Sequence, residues 1–337
     1  MVLSVESCGS DGGGGVRDVR ISSHRPPLLL VASDDGLAAL WSINPPGPDP
    51  LDVYSGLAEA AMCCAWSADG RVLATGGEAG ELRVLVPPPQ SALVCRKADA
   101  HDLGVLSCDF ANTSSLKNLN SADEHPLLLL ATGGRDAFVK LWWVQMSISE
   151  MSIEEGSLEL AQTLSAHGGA VQCVRWGLCI QHESELTLAT GGADRWARVW
   201  RVTVHDMKLD AQAVVAVPAG AAGGAPAVRL LGDGDEALLV VGSLSGTLAV
   251  WRLPPIDLLH DAESAETRVW GAVGVTRWLR EYIIKPPGSS VSESEAARLL
   301  AAAGAAAFTG ARLLDEPLDE LMLSFGFGAD SSEDPGE

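Results

Sequence analysis

The sequence predicts an all-β fold of the propeller class, because one strand–turn–strand pattern recurs five times along the 337 residues. Two copies, ATGGRDAFVKLW and ATGGADRWARVW, are nearly the same and end at Trp142 and Trp200. The other three, VASDDGLAALW, ATGGEAGELRVL and VVGSLSGTLAVW, end at Trp41, Leu85 and Trp251. These closing residues are 44 to 58 residues apart. Such a spacing fits a four-stranded blade with loops of variable length.

An apolar anchor precedes each closing residue and marks the first strand of the same unit. The anchors are Ile21, Trp66, Phe110, Trp176 and Leu230. The interval from anchor to closing residue is 19 to 24 residues in four copies and 32 in the third. The third copy therefore carries an insertion, and its polar stretch 112–126 is predicted to be a surface loop.

Two copies also carry His, Thr, Asp and Trp at matching positions. The two sets are His101, Thr132, Asp136 and Trp142, and His167, Thr190, Asp194 and Trp200. This arrangement resembles the WD-repeat family, whose blades often hold a buried, hydrogen-bonded tetrad of these residue types. A buried carboxylate and imidazole are tolerated only when they are partnered. We therefore expect two structural tetrads. The first copy keeps Asp35 and Trp41 without a histidine, whereas the second and fifth have Ala79 and Ser245 at the Asp position.

The same residue types also occur in hydrolase triads, but here the set is repeated in separate blades. The two histidines are 66 residues apart, which also argues against a shared metal site. We expect no catalytic, cofactor-binding or metal-binding residues and no enzyme activity. Arg135 and Arg195 neighbour the tetrad aspartates on turns of one rim, and they are candidates for contact with a protein partner. The alternative is that both are ordinary solvent-exposed turn residues.

The composition excludes several classes of partner. A net charge of −21 and a pI near 4.6 disfavour binding to nucleic acid or to an anionic membrane. The acidic stretches 150–159 and 330–337 are expected to be solvated loops. The sequence shows no apolar run of ~18 residues and no signal peptide. Seven cysteines without a C-x-x-C pair indicate reduced thiols, and hence a cytoplasmic protein with the nucleus as the alternative location.

The hydrophobic period becomes helical after about residue 267. Trp270, Val275, Trp278 and Leu279 resemble the opening W-x4-V-x2-W-L of a sterile alpha motif, and 308–314 resembles its centre. An insertion at 285–307 departs from that family, and a small helical cap on the propeller is the alternative. The expected organisation is a flexible N-terminus (1–15), a WD-repeat β-propeller (16–258), a linker (259–267), a sterile alpha motif-like domain (268–328) and an acidic tail (329–337).

The segment AHDLG at 100–104, followed by the C-terminal motif, resembles the WD repeat, SAM and U-box domain-containing family. The resemblance implies a seven-bladed propeller and a U-box that recruits a ubiquitin-conjugating enzyme. Only five repeats are readable here, and no U-box pattern follows residue 328. If five blades close a ring, we expect residues 1–5 to supply the outer strand of the last blade.

The expected function is that of a non-catalytic interaction scaffold. Its propeller rim would bind protein partners, and its helical domain would associate with itself or with another sterile alpha motif. The resemblance implies a substrate-receptor role in ubiquitination. The alternative is a ubiquitin-protein ligase of the U-box class whose U-box is absent from this chain.

Overall fold

The computed structural model divides into two compact units, Met1–Leu253 and Pro254–Glu337. It describes residues 14–47, 49–113, 127–148, 153–177, 185–205, 207–219, 224–232 and 237–253. The predicted linker, helical domain and acidic tail, and the proposed strand at 1–5, lie outside these ranges. The described part of the chain contains no helix that is long and apolar enough to cross a bilayer.

The described residues form five antiparallel sheets, which we call blades 1 to 5. Blade 1 consists of β1 (Val16–Ile21), β2 (Leu28–Ser33), β3 (Ala38–Ser42) and β4 (Asp52–Tyr54). Blade 2 consists of β5 (Ala61–Trp66), β6 (Leu73–Gly77), β7 (Leu82–Val86) and β8 (Ala92–Lys97). Blade 3 consists of β9 (Val105–Phe110), β10 (Leu127–Gly134), β11 (Phe138–Ile148) and β12 (Ile153–Ser165). Blade 4 consists of β13 (Val171–Trp176), β14 (Glu185–Gly192), β15 (Trp196–His205) and β16 (Lys208–Pro218). Blade 5 has three described strands, β17 (Ala227–Leu231), β18 (Leu238–Gly242) and β19 (Leu248–Arg252).

The strand register explains why anchor and closing residue recur in phase. Phe110 is paired with Leu130, and Leu130 with Trp142. Ile21 is likewise joined through Leu29 to Trp41, and blades 2, 4 and 5 have the same register. Residues that lie opposite one another across a sheet share a face. The five predicted repeats are confirmed as five blades, and each anchor lies on the same face as its closing residue.

The core lies between blades, because each sheet buries its apolar faces against its neighbours. The first strands pack in chain order, β1 on β5, β5 on β9, β9 on β13 and β13 on β17. Between blades 2 and 3, for example, Leu82 and Val84 lie in one buried cluster with Phe110 and Trp142. In blades 1 to 4, the residue three before the anchor reaches the first strand of the next blade. The Asp18 carboxylate accepts the Cys64 N–H at 3.2 Å, and the Ser107 hydroxyl accepts the Val174 N–H at 3.1 Å.

Cysteines occupy the same position in blades 2 and 4. The Cys63 thiol donates to the Val105 carbonyl at 3.6 Å, and the Cys173 sulfur accepts the Val228 N–H at 3.5 Å. Blade 5 has Ala227 at this position, and a methyl group can neither donate nor accept. The series of contacts from one blade to the next therefore ends at blade 5.

Asp109 makes an additional connection between blades 3 and 4. Its carboxylate accepts the Trp176 backbone N–H at 2.8 Å, and its carbonyl accepts the Trp176 indole N–H at 3.0 Å. Burial raises the pKa of Asp109 to about 6, although the Trp176 N–H and the charges of Arg20 and Arg229 partly oppose that rise. This carboxyl group can therefore be protonated in the mildly acidic range.

The acidic stretch 150–159 is not a loop throughout, which corrects the sequence prediction. From Ile153 onward it belongs to β12, which pairs with β11. Leu158 packs against the core between blades 2 and 3, whereas Glu159 is exposed. An outer strand of a blade can place one residue against the core and the next in solvent, because successive side chains point to opposite faces. The net acidity of the stretch concealed the leucine that faces the core.

Candidate functional site

The blade 3 residues predicted to form a tetrad lie within hydrogen-bonding distance of one another. His101 Nδ1 is 2.9 Å from both carboxylate oxygens of Asp136, and His101 Nε2 is 2.8 Å from Thr132 Oγ1. The Trp142 indole N–H donates to the same hydroxyl oxygen at 2.8 Å. His101, Thr132 and Trp142 are buried. The set joins the loop before β9, the end of β10, the turn after it and β11.

The direction of these hydrogen bonds follows from the donors available. Burial lowers the pKa of His101, and nearby Lys140 lowers it further, whereas Asp136 opposes the change. A neutral imidazole has one donor and one acceptor nitrogen. Nδ1–H then donates to the Asp136 carboxylate, and Nε2 accepts the Thr132 hydroxyl proton. Because the hydroxyl oxygen accepts the Trp142 N–H, every polar group of the set is satisfied.

Blade 4 repeats this geometry and adds a cation. His167 Nδ1 is 2.9 Å from Asp194, His167 Nε2 is 2.9 Å from Thr190 Oγ1, and the Trp200 indole donates to that oxygen at 3.0 Å. The Arg198 guanidinium donates to Asp194 at 2.9 Å. Burial alone would raise the pKa of Asp194, but its hydrogen bonds and the charges around it hold the pKa below its usual value. Burial lowers the pKa of His167, and Arg198 lowers it further.

A glycine beneath each histidine makes room for the imidazole. A Cβ at Gly134 would overlap His101 Nδ1 and Asp136 Oδ1, and a Cβ at Gly192 would overlap the equivalent atoms of blade 4. In blades 3 and 4, the second glycine of the ATGG segment is therefore required by close packing of the tetrad rather than by its backbone angles. Blade 2 has the same segment without a tetrad, and there Gly77 lies near Leu57 instead.

A basic residue two before the closing residue is a further shared feature, which the sequence analysis missed. In blade 3, Lys140 Nζ donates to the Ala100 carbonyl at 2.7 Å. In blade 2, Arg83 donates to the Ser55 carbonyl at 3.0 Å, and Arg198 occupies this position in blade 4. In blades 2 and 3, this side chain ties the third strand to the loop that leads into the blade. This feature is visible in the sequence, where Arg83, Lys140 and Arg198 each lie two residues before the closing residue of their repeat.

Blade 2 has no tetrad histidine and uses charges to hold the equivalent loop. Arg83 donates to the buried Glu81 carboxylate at 2.6 Å and also to the Gly56 carbonyl. Arg96 lies 2.6 Å from the same carboxylate oxygen of Glu81. A buried carboxylate is stable when it is paired and hydrogen-bonded. The ion triplet thus takes the structural place of the missing imidazole and aspartate.

Within each tetrad the polar side chains are hydrogen-bonded to one another. The tetrads therefore hold loops and turns of the blade in place. What they position is the rim, by which we mean the turns after the second strands and the loops that lead into the first strands. The Arg135 N–H donates to the Gly104 carbonyl at 2.9 Å, and its guanidinium lies 3.2 Å from Glu78 of blade 2. The Arg195 N–H donates to the Gly192 carbonyl at 3.2 Å, and its side chain is exposed. Both predicted contact residues therefore lie on the rim, in neighbouring blades.

Leu103 is an exposed apolar residue on the same rim, and sequence analysis did not single it out. It lies in the loop between His101 and Gly104 and is 53% exposed. Its neighbours on the rim are the ion pair of Arg135 and Glu78. Among the residues that the structure describes, no group of three or more His, Cys, Asp or Glu side chains could hold a metal ion.

Comparisons with known proteins extend this picture. Two curated relatives are named "Probable cytosolic iron-sulfur protein assembly protein 1" and come from two strains of Cryptococcus neoformans var. neoformans serotype D. Each is 31% identical over 160 residues, which cover 43% of this chain and 36% of the relative. The chain thus spans about a third of the length of these relatives. A solved structure titled "Structure of U3-55K" is 19% identical with a TM-score of 0.47, covering 72% of this chain and 66% of that one. This likeness is too distant to inform function.

The family model for the WD domain, G-beta repeat, matches residues 49–84, 94–142 and 158–201. Each matched stretch begins near the last strand of one blade and ends at the third strand of the next. The second and third stretches contain the two tetrads. These stretches are WD40 repeats, and the described chain folds as the five blades of a WD40 β-propeller.

Proposed function

We propose that this protein is a non-catalytic protein-interaction scaffold that binds a protein partner through its rim. The observation that carries the proposal is the exposed Leu103, which lies in a loop held by the blade 3 tetrad. WD40 propellers typically bind protein partners, and fold alone would not locate the surface. The exposure of Leu103 supports a surface on the rim at blades 2 and 3.

Three properties favour this part of the rim as a contact surface. Leu103 offers apolar contact area on the rim, and Arg135 beside it belongs to a residue type enriched at interface centres. The loop is already ordered, because His101 and Gly104 are fixed by Asp136 and Arg135. Binding to an ordered loop avoids the entropy cost of fixing it.

The test compares Leu103→Asp with the matched control Leu160→Asp. Leu160 is 51% exposed and lies on the outer strand β12, away from the rim. Tagged full-length chains are expressed in cells of the source organism, and cross-linked partners are quantified by mass spectrometry. We expect the wild type and Leu160→Asp to recover the same partners in similar amounts. The amount of these partners recovered with Leu103→Asp should be at least about tenfold lower. Equal recovery from both variants would contradict a binding site on this rim.

We further propose that the bound partner is a substrate of ubiquitination, with this chain as its receptor. This rests on the resemblance of the AHDLG segment and of 268–328 to proteins that also contain a U-box. Raised levels of the chain should change ubiquitination of a rim-bound partner, whereas the Leu103→Asp variant should not. The helical segment would associate with itself or with another sterile alpha motif, and the protein would act in the cytoplasm.

A role as an adaptor in cytosolic iron–sulfur protein assembly is the second candidate. The names of the two curated relatives favour it. Depletion of this protein should then lower the activity of cytosolic iron–sulfur enzymes, and re-expression should restore it. Unchanged enzyme activity after depletion would remove this candidate without affecting the first.

A further inference from the structure

The first strand of each blade pairs with the second strand along one edge and turns its other edge toward the centre of the propeller. The first strands contact one another in every pair of consecutive blades, which makes them the innermost strands. In an antiparallel sheet, successive residues direct their N–H and C=O groups to opposite edges of the strand. The Ala111 N–H donates to the second strand of blade 3, so Cys108, three residues earlier, directs its backbone groups toward the centre. Cys64 is the equivalent residue of blade 2.

Two arginines from other blades reach these central carbonyl groups. Arg20 Nε donates to the Cys64 carbonyl at 3.2 Å. Arg175 Nη1 donates to the Cys108 carbonyl at 3.3 Å and to the Ser107 hydroxyl at 3.1 Å. Both guanidinium groups therefore lie at the centre of the propeller, one against blade 2 and the other against blade 3.

The position before the anchor carries a charged residue in four of the five blades. Arg20, Arg175 and Arg229 occupy it in blades 1, 4 and 5, and Asp109 occupies it in blade 3. The charges of Arg20 and Arg229 both act on the Asp109 carboxylate and partly oppose the rise of its pKa. Charged groups from opposite ends of the described chain thus come together at one level of the propeller centre.

This central group carries more positive than negative charge, and some of its donors are still available. Arg20 Nη2 lies 3.2 Å from the Asp18 carboxylate, so Asp109 is the remaining carboxylate for both Arg175 and Arg229. A guanidinium group has five N–H donors. The hydrogen bonds of Arg175 to described residues are all made by Nη1, and the Arg229 side chain is exposed. N–H donors of both arginines can therefore bind a ligand.

We propose that Arg175 and Arg229, together with Arg20, bind a phosphate-type oxyanion at the centre of the propeller. The planar guanidinium group matches the oxygens of a phosphate and forms charge-assisted hydrogen bonds with them. The net charge of −21 does not prevent binding, because salt screens surface charges that lie more than about 10 Å away. The site is separate from the rim, so it does not depend on the proposed binding of a protein partner there.

The experiment is isothermal titration calorimetry of the full chain with inorganic sulfate, phosphate or pyrophosphate, in chloride buffer at constant ionic strength. At least one of these probes should bind the wild type saturably, and Arg175→Gln and Arg229→Gln should each weaken binding at least about tenfold. Asp109→Asn should tighten binding at least about threefold, because it removes a competing negative charge and its amide oxygen can still accept the Trp176 N–H. The control is Arg71→Gln, which changes an exposed arginine in the loop between β5 and β6 and should bind as the wild type does.

Tighter binding of pyrophosphate than of phosphate would assign the site to a diphosphate-containing ligand, and equal binding would assign it to a single phosphate group. The proposal is wrong if none of the three probes binds the wild type saturably, or if Arg229→Gln binds them as tightly as the wild type does. Because Arg229 is exposed, this variant should fold normally, and its melting temperature checks the folding. An equal loss of binding in Arg71→Gln would show unspecific attraction to positive charge and would also contradict the proposal.

Discussion

Replacing Thr132 by valine should destabilise the protein more than any other single-atom change in the blade 3 tetrad. Valine matches threonine in shape, so no cavity forms, but the hydroxyl is lost. The Trp142 indole N–H and His101 Nε2 each lose a partner at 2.8 Å, and both groups are buried. Each unsatisfied buried polar group costs about 1–3 kcal/mol, so the loss of these two partners should lower the free energy of unfolding by about 2–6 kcal/mol. Urea denaturation followed by tryptophan fluorescence measures this loss.

The matched control is Thr187→Val on β14. The Thr187 hydroxyl is buried and has no hydrogen-bond partner among the described residues. Removing it should leave the free energy of unfolding unchanged or raise it by up to about 1 kcal/mol. The melting temperature should therefore fall by about 5–15 °C for Thr132→Val and should not fall for the control. Equal effects of the two substitutions would refute the argument from hydrogen-bond satisfaction.

Asp109→Asn should change the pH dependence of stability. Because the folded pKa of Asp109 is raised to about 6, the native state binds the proton more tightly, and this contribution is lost as pH rises from about 4 to about 6. Relative to the wild type, the free energy of unfolding of the variant should therefore rise by up to about 3 kcal/mol across that window. Urea unfolding at several pH values measures this change. A difference between variant and wild type that does not depend on pH would contradict the raised pKa of Asp109. The histidines act in the opposite direction, since their lowered pKa values make stability fall as pH drops below about 6.5. Arg83→Met should lower the free energy of unfolding by about 1–3 kcal/mol, because the loop carbonyls of Ser55 and Gly56 lose their donor. The control Arg71→Met removes an exposed ion pair with Asp69 and should change stability by less than about 0.5 kcal/mol; similar losses for both would show that Arg83 does not hold the loop.

The tetrads could be predicted from sequence because each residue has a fixed place in the register of one blade. The spacing of Asp136 and Trp142, for instance, follows directly from one turn and one strand. Contacts between blades left no comparable signal. Asp18, Ser107 and Cys173 share one role but no residue type, since a carboxylate, a hydroxyl and a thiol can all bond to the backbone of the next blade.

The acidic hairpin of blade 3 was misjudged for a different reason. Net charge is a property of a whole stretch, whereas the packing of an outer strand depends on the residue that faces the core, here Leu158. Leu103 was missed because a single leucine in a loop has no periodicity to reveal it. Its exposure became visible only when the loop was placed on the rim, beside the ion pair of Arg135 and Glu78.

The fastening of the blade 3 turn has a consequence for protein engineering. His101 is hydrogen-bonded to Asp136 in this turn. Lys140, on the strand that follows the turn, donates to the Ala100 carbonyl in the neighbouring loop. A peptide inserted between Arg135 and Asp136 would begin and end at atoms that are already immobilised, so its ordering entropy would be confined to the inserted residues. Blade 5 has alanine and serine where blade 3 has Lys140 and Asp136. A peptide grafted onto the blade 5 turn would also have to order its own attachment points, and the same insert should therefore bind its target more weakly there than on blade 3.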